Sequence, residues 1–244
     1  MTDVAPALSV EGTFDLADGN RLFHNLNLTV AAGEWTCLLG PSGVGKSTLL
    51  RILAGLSTGG TFDGQMSASD GQPIQSRIAY MAQTDLIAPW LNVSDAISFG
   101  ARLRGEQPDQ ARANALVKQV GLAEHRHKRR KELSGGMRQR VALARTLMED
   151  RPIALLDEPF SALDARTRAD MQELAFQSLR GRTVLLVTHD PLEAARLGSQ
   201  IYLMRGQNLE QMNTPDAQPI RPADDPSTMA VQSELLRTLR GLEH

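Results

Sequence analysis

Between positions 40 and 47 the chain reads Gly40-Pro41-Ser42-Gly43-Val44-Gly45-Lys46-Ser47, which fills every fixed position of the phosphate-binding pattern GxxxxGK[ST]. That pattern narrows the fold because it works only between a buried strand and a helix. The apolar run Trp35 to Leu39 reads as the strand, and Ser47 to Leu56 reads as the helix. Glycines let the backbone turn tightly enough to aim successive N–H groups at phosphate oxygens, and the helix start adds about half a positive charge there. In such a loop Lys46 bridges the β- and γ-phosphates and Ser47 offers its hydroxyl to Mg²⁺, with Thr48 beside it in the same phosphate-facing turn.

At 244 residues the chain has the length of one large domain or one and a half, and 41% hydrophobic content supports a substantial core. Aromatic residues are only 4%, so aliphatic packing must do most of the burying. Twenty-six basic against 28 acidic residues leave a net charge of −2, which argues against a chain built to coat nucleic acid or an anionic membrane. Cys37 is the sole cysteine; it sits in an apolar strand pattern, so a disulfide framework is excluded and a reducing cytoplasm fits. The N-terminus lacks the basic-then-apolar pattern of a secretory signal, and no apolar run approaches the roughly 18 to 20 residues that span a bilayer. If the protein works at a membrane, other chains cross it.

Upstream of the loop, Leu8, Val10, Phe14 and Leu16 alternate with polar residues, Asp18-Gly19 interrupts, and Leu22, Leu26, Leu28 and Val30 alternate again; this reads as an antiparallel β unit. Gly55 can end the first helix in a left-handed cap. A Gly- and Ser-rich stretch then runs to about Ser76, followed by a short strand from Ile78 to Met81 that ends near Gln83. From Asn92 to about Gly121 the period turns helical. Asn92 or Ser94 can cap a helix carrying Val93, Ala96, Ile97 and Leu103, and Pro108 can open a second with Leu116, Val117 and Val120. The basic run His125 to Lys131 reads as a solvated face. Strand and helix then alternate: helix Arg138 to Met148, strand Ile153 to Leu156, helix Arg166 to Leu179, strand Thr183 to Val187, helix Pro191 to Leu197, strand Ile201 to Met204. This order implies a parallel sheet with right-handed crossovers. Past Gly206 prolines break up the tail, a final amphipathic helix spans about Met229 to Leu239, and the closing Leu242-Glu243-His244 reads as a tag remnant.

The buried strand Ile153-Ala154-Leu155-Leu156 delivers Asp157-Glu158 at its C-terminal end, beside the phosphate loop, where ligands collect in open α/β sheets. Asp157 would hold Mg²⁺ through its water shell, and Glu158 would orient and deprotonate the attacking water. Leu133-Ser134-Gly135-Gly136-Met137 forms a second phosphate-facing helix start. One nucleotide does not need two such cradles from one subunit, so Ser134, Gly135 and Gly136 are assigned to the nucleotide of a partner, and the chain to a head-to-tail pair.

Taken together these motifs resemble the ATP-binding subunit of an ABC transporter: a Walker A loop, Gln83 as the Q-loop glutamine, the LSGG signature, a Walker B strand, Ser161-Ala162-Leu163-Asp164 as the D-loop, and His189 as the switch histidine. They fall in the family's order over about residues 8 to 205. The resemblance implies an α/β P-loop NTPase of the ABC ATPase type, with a parallel-sheet core, an antiparallel β subdomain and an inserted helical subdomain. It implies ATP and Mg²⁺ as cofactors, with Gln83 joining Ser47 and Asp157 around the metal. Ser134 and Gly136 then contact the γ-phosphate of the opposite subunit's ATP, Asp164 couples the two sites, and His189 contacts the γ-phosphate near Glu158. Two positions depart from the family: Met137 stands where glutamine is usual, and the aromatic that stacks on adenine is not obvious, Phe14 being the candidate and Leu16 occupying the plainer alignment.

By this reading residues 1–244 form a single domain. Residues 1–83 and 141–205 make the nucleotide-binding core with its N-terminal β subdomain, 84–140 the helical subdomain, and 206–244 a C-terminal tail. Pro89-Trp90-Leu91 and the SGGMRQR run from Ser134 to Arg140 resemble importers of the nitrate, sulfonate, taurine and thiamine-precursor type. The implied partners are a second copy of the chain, integral membrane permease subunits and, indirectly, a solute-binding protein. The implied place is the cytoplasmic face of the inner membrane. The rival reading is a soluble ABC-type ATPase that acts as a nucleotide-gated assembly clamp. Its repair-ATPase form, with long coiled coils between loop and signature, is excluded because only 88 positions separate Lys46 from Ser134.

Overall fold

The computed structural model describes residues 5–241, so the closing Leu242-Glu243-His244 lies outside the described residues. Strands β1 (Leu8–Leu16) and β2 (Arg21–Val30) precede β3 (Trp35–Leu39), helix α1 (Lys46–Leu53), β4 (Gly60–Ala68) and β5 (Ile78–Met81). Four helices follow: α2 (Val93–Ile97), α3 (Phe99–Leu103), α4 (Gln110–Gln119) and α5 (Gly135–Met148). The chain then continues through β6 (Ile153–Asp157), α6 (Ala165–Ser178), β7 (Thr183–Thr188), α7 (Pro191–Leu197), β8 (Gln200–Arg205), β9 (Asn208–Met212) and α8 (Pro226–Arg240).

Two sheets result. The larger has the order β5-β6-β7-β3-β8-β9, parallel except for the last pair. Its strands β3, β6 and β7 are buried at every residue, as strands covered on both faces must be, and this is why they read as unbroken apolar runs. Their side chains alternate between two cores. Cys37, Leu39, Ala154 and Leu156 join the core shared with α5, α6 and α7, while Leu38, Ile153 and Leu155 join the one shared with α1, β1 and β2. Because β3 lies between β7 and β8, the loop that follows it emerges mid-sheet, level with the ends of β6 and β7.

The smaller sheet, β2-β1-β4, is antiparallel. The alternation of β1 and β2 predicts their pairing; β4 is a strand where the sequence suggests only a Gly- and Ser-rich connection. Its register shows why. Gly12 of β1 pairs with Gly64 of β4, where a Cβ on Gly64 would sit 2.2 Å from the Glu11 carbonyl oxygen and one on Gly12 would lie 2.7 Å from the Phe62 ring. Close backbone approach and a covering phenyl ring occupy the space where alternating apolar side chains would otherwise mark a strand.

Helix boundaries follow from caps. Helix α1 ends at Leu53, before the end of its apolar pattern, because Gly55 takes φ 69° and the amides of Gly55 and Leu56 close back on Ile52 and Arg51. Asn92 caps α2 by accepting from the Asp95 amide at 2.9 Å. Asp109, not Pro108, opens α4, accepting from the Arg112 amide at 2.9 Å. Leu103 does not share the apolar face of α2; it sits on α3, 71% exposed. Among the described residues no helix is long and apolar enough to cross a membrane.

Two contacts fix segments that the sequence leaves open. The Asp85 carboxylate, just past β5, receives Arg130 at 2.8 Å and Arg138 at 3.1 Å, while Arg145 donates to the carbonyls of Asp85 and Leu86. Burial opposes ionisation of Asp85, but hydrogen bonds from Arg130 and the Ile87 amide and the charges of Arg130 and Arg138 outweigh it and hold the carboxyl below its usual range. The basic run is therefore more than a solvated face, since Arg130 anchors the exit of β5. In the tail, Arg221 is buried and donates to the carbonyls of Ala195, Gly198, Pro215 and Ala217, and Arg196 donates to the Arg221 carbonyl and Gln172. This clasp seats the tail on α7. Helix α8 then starts at Pro226, earlier than its apolar pattern, because the Asp225 side chain caps it.

Candidate nucleotide site

The phosphate loop contains two left-handed glycines, Gly43 at φ 81° and Gly45 at φ 110°. Space is closed as well. A Cβ on Gly45 would come 3.0 Å from the Leu22 side chain, and one on Gly40 would sit 2.7 Å from the Met204 carbonyl oxygen. Lys46 opens α1 almost wholly buried, its ammonium donating to the carbonyls of Gly40 at 2.8 Å and Pro41 at 2.7 Å. Those bonds use two of its three donors, so an anion lying in the loop can take the third. Burial pulls the Lys46 pKa down, and the carboxylates of Glu158 and Asp157 pull against it.

Strand β6 ends on Asp157, 2% exposed, whose Oδ1 accepts from the Ser47 hydroxyl at 3.0 Å. Burial pushes this carboxyl up and the Glu158 charge adds to that, while the Ser47 hydrogen bond and Lys46 pull it down. Among the described residues no three His, Cys, Asp or Glu side chains group to hold a metal. A cation beside Ser47 and Asp157 would meet a hydroxyl and a carboxylate, both oxygen donors, and would draw its remaining ligands from water and phosphate. That donor set fits Mg²⁺.

Glu158 is one of few non-glycine residues at positive φ, 49°. Its N–H donates to the Val187 carbonyl at 2.9 Å, and its side chain, largely buried, lies 3.2 Å from Nδ1 of the half-exposed His189 just past β7. Below that histidine, the Thr188 hydroxyl donates to Glu193 at 2.7 Å, and Arg168 reaches Asp190 at 3.2 Å and Glu193 at 3.8 Å. Burial, helped by the Asp190 charge, pushes the Glu193 carboxyl up to about 7 against the Thr188 hydrogen bond, Arg168 and His189. The folded chain thus holds a proton there between pH 4.5 and about 7 that the unfolded chain has released, so stability falls with rising pH across that window and is level above it. Glu193→Gln should abolish this slope and gain on the order of 3 kcal/mol relative to the parent at about pH 8 compared with acid, read from urea midpoints at the two pH values.

The other expected residues fall in several places. Ser134 is the exposed N-cap of α5, accepting from the Met137 amide at 3.2 Å, and Gly135 beside it is open. Gly136 faces its own chain, since a Cβ there would lie 3.2 Å from the Ala162 carbonyl oxygen. Asp164 caps α6 by accepting from the Thr167 amide at 3.1 Å, and that bond holds its carboxyl low. Gln83 is exposed and lines a cleft of about 230 Å³ with Asp85, Gly135, Gln139 and Ser161. Among the described residues it has no hydrogen bond to Ser47 or Asp157.

Phe14 cannot stack on adenine. It is fully buried, and its ring lies 5.6 Å from that of Phe23, stacked inside the core under the antiparallel sheet. The side chain that does lie over the phosphate loop is the aliphatic Leu22 at Gly45. Sequence reasoning also gave Gln139 no role, although the residue lies inside the SGGMRQR run; a buried glutamine on a helix gives no periodic signal of what it binds.

Residues 23–161 match the family model described as ABC transporter. The chain is 43% identical to an aliphatic sulfonates import ATP-binding protein, SsuB 1, of Rhodococcus jostii, over 95% of this chain and 94% of that one. It is 43% identical to an uncharacterized ABC transporter ATP-binding protein of Haemophilus influenzae, with 92% and 95% covered. With the taurine import ATP-binding protein TauB of Yersinia pestis it shares 39% identity over 84% of each. Among solved structures, a bacterial Atm1-family ABC exporter with ATP bound superposes with a TM-score of 0.77 at 25% identity, covering 98% of this chain and 43% of that one.

Proposed function

This chain belongs to the ABC transporter family as an ATP-binding subunit and ATPase, and from that premise we propose that it pairs head to tail around two ATP and drives import of a small sulfonate-like solute through a separate permease. The observation that carries this is the convergence of Lys46, Ser47, Asp157 and the Glu158–His189 pair at the C-terminal ends of the central strands β3, β6 and β7. In this reading Mg²⁺ is held by Ser47, with Asp157 and Gln83 acting at its shell, and Glu158 takes the proton of the attacking water. Ser134, Gly135 and Gly136 face the partner's nucleotide, and Gly136 also serves the fit of α5 against the D-loop. With no membrane-spanning helix among the described residues, the subunit reaches the cytoplasmic face of the membrane through its permease.

The docking seam would lie beside Asp85, where Leu86 is 66% and Trp90 68% exposed. Trp90→Ala should leave ATP hydrolysis by the isolated subunit within about twofold of the parent, because exposed side chains contribute little to the fold. The same change should weaken co-purification with the permease at least tenfold, as loss of an aromatic interface anchor does. Crosslinks that place the permease far from Trp90, or recovery of soluble scaffold proteins only, would overturn the reading.

A further inference from the structure

We infer that Gln139 is a positioning residue for ATP hydrolysis, holding Glu158 in its left-handed conformation from the signature helix α5. The inference rests on Glu158 acting as the base. Gln139 is 8% exposed and lies one turn beyond Gly136. Its Nε2 donates to the Glu158 carbonyl at 2.8 Å and to the Ser161 hydroxyl at 3.2 Å, and its Oε1 accepts from the Ala162 amide at 2.8 Å. Ser161 in turn donates to the same Glu158 carbonyl at 3.1 Å. A single amide thus satisfies both a carbonyl and an amide of the turn that leads from β6 to α6.

That turn needs a holder. A glutamate at φ 49° sits in a region that L-residues rarely adopt and that persists only where its surroundings impose it. The imposed direction is set from both ends: the Glu158 N–H is bound to the Val187 carbonyl on β7, and its C=O is bound to Gln139 on α5. Fixing both peptide planes fixes the start of the side chain, whose carboxylate is found 3.2 Å from His189 Nδ1. An amide side chain meets both demands, because one end donates and the other accepts. Gly136 lets the helix approach closely enough for Gln139 to reach, since a Cβ there would press on the Ala162 carbonyl oxygen and the Leu163 side chain.

Gln139→Met keeps length and removes the hydrogen bonds; Gln139→Glu keeps the acceptor toward Ala162 and loses the donor toward Glu158. Each variant should lower kcat about 10²-fold, the scale of a small misplacement of a catalytic group, with the KM for ATP within about twofold and ATP-dependent pairing retained. The decisive readout is a double-mutant cycle on single-turnover rates. If Gln139 acts through Glu158, adding Gln139→Met to Glu158→Gln costs nothing further. Losses that multiply, or a kcat near the parent's in both Gln139 variants, would overturn the inference, and a fall in kcat that tracks a lowered unfolding midpoint would mark a merely structural role. Failure of the underlying reading looks different, since Glu158→Gln alone would then turn over ATP normally.

Discussion

Glu158→Gln should bind ATP at least as well as the parent, hydrolyse it more slowly by 10² to 10⁴, the usual contribution of a general base, and elute as a dimer with ATP and Mg²⁺ but as a monomer without them. Glutamine keeps the shape of the side chain beside His189 but cannot take the proton of the attacking water. On the proposed reading binding rests elsewhere, on the phosphate loop, the Ser47–Asp157 pair and the opposing signature, which the substitution reaches only by removing the Glu158 charge near Lys46 and Asp157. Removing a negative charge near a bound phosphate should, if anything, strengthen ATP retention. ATP that is bound and not cleaved acts as a ligand of the closed pair and shifts the monomer–dimer balance by mass action. Turnover and size-exclusion profiles, with and without nucleotide, check both halves. Near-normal turnover would move the base to another residue, with His189 the next to test.

The second large effect is rescue by mixing. Ser134→Arg blocks the signature end of one chain and Lys46→Ala the phosphate loop of the other, so each variant alone should be inactive. In a mixed pair one composite site carries both faults and the other carries neither. At equal amounts about a quarter of the parent rate is expected, since half of randomly formed pairs are mixed and each has one sound site. The exposure of Ser134 at the start of α5 supports this division, because an open helix start is free to meet a second copy of the chain. Absence of rescue at every ratio, with mixed pairs shown to form, would mean that each chain works alone.

What the sequence made legible was chemistry with a fixed local spacing. The loop at Gly40 to Ser47, the strand that ends on Asp157 and the helix start at Ser134 each carry their signal within a few residues, and each lies on the element its pattern predicts. The buried strands were readable for the same reason, because their apolar runs are unbroken. Signals failed where the partner sits far away in sequence. Strand β4 is recognisable only once Gly64 is set against Gly12, and Gln139 only once α5 is set against the turn after Glu158. Phe14 misled because an aromatic near the right position suggested a base platform, while the small β subdomain needed that ring for its own core against Phe23.

The Arg196–Arg221 clasp contrasts with the ionic seam at Asp85. Both arginines are held by carbonyls and the Gln172 amide, groups that neither gain nor lose a proton across the range in which proteins are handled. Being buried, they are also shielded from mobile ions. Asp85 is different: its depressed carboxyl adds stability above its ordinary range and gives that up as acid protonates it, and salt screens its pairs with the exposed Arg130 and the partly exposed Arg138. Acid or brine should therefore loosen the seam between β5 and the signature helix while the C-terminal end stays fastened, so the molecule has one joint that responds to its medium and one that ignores it.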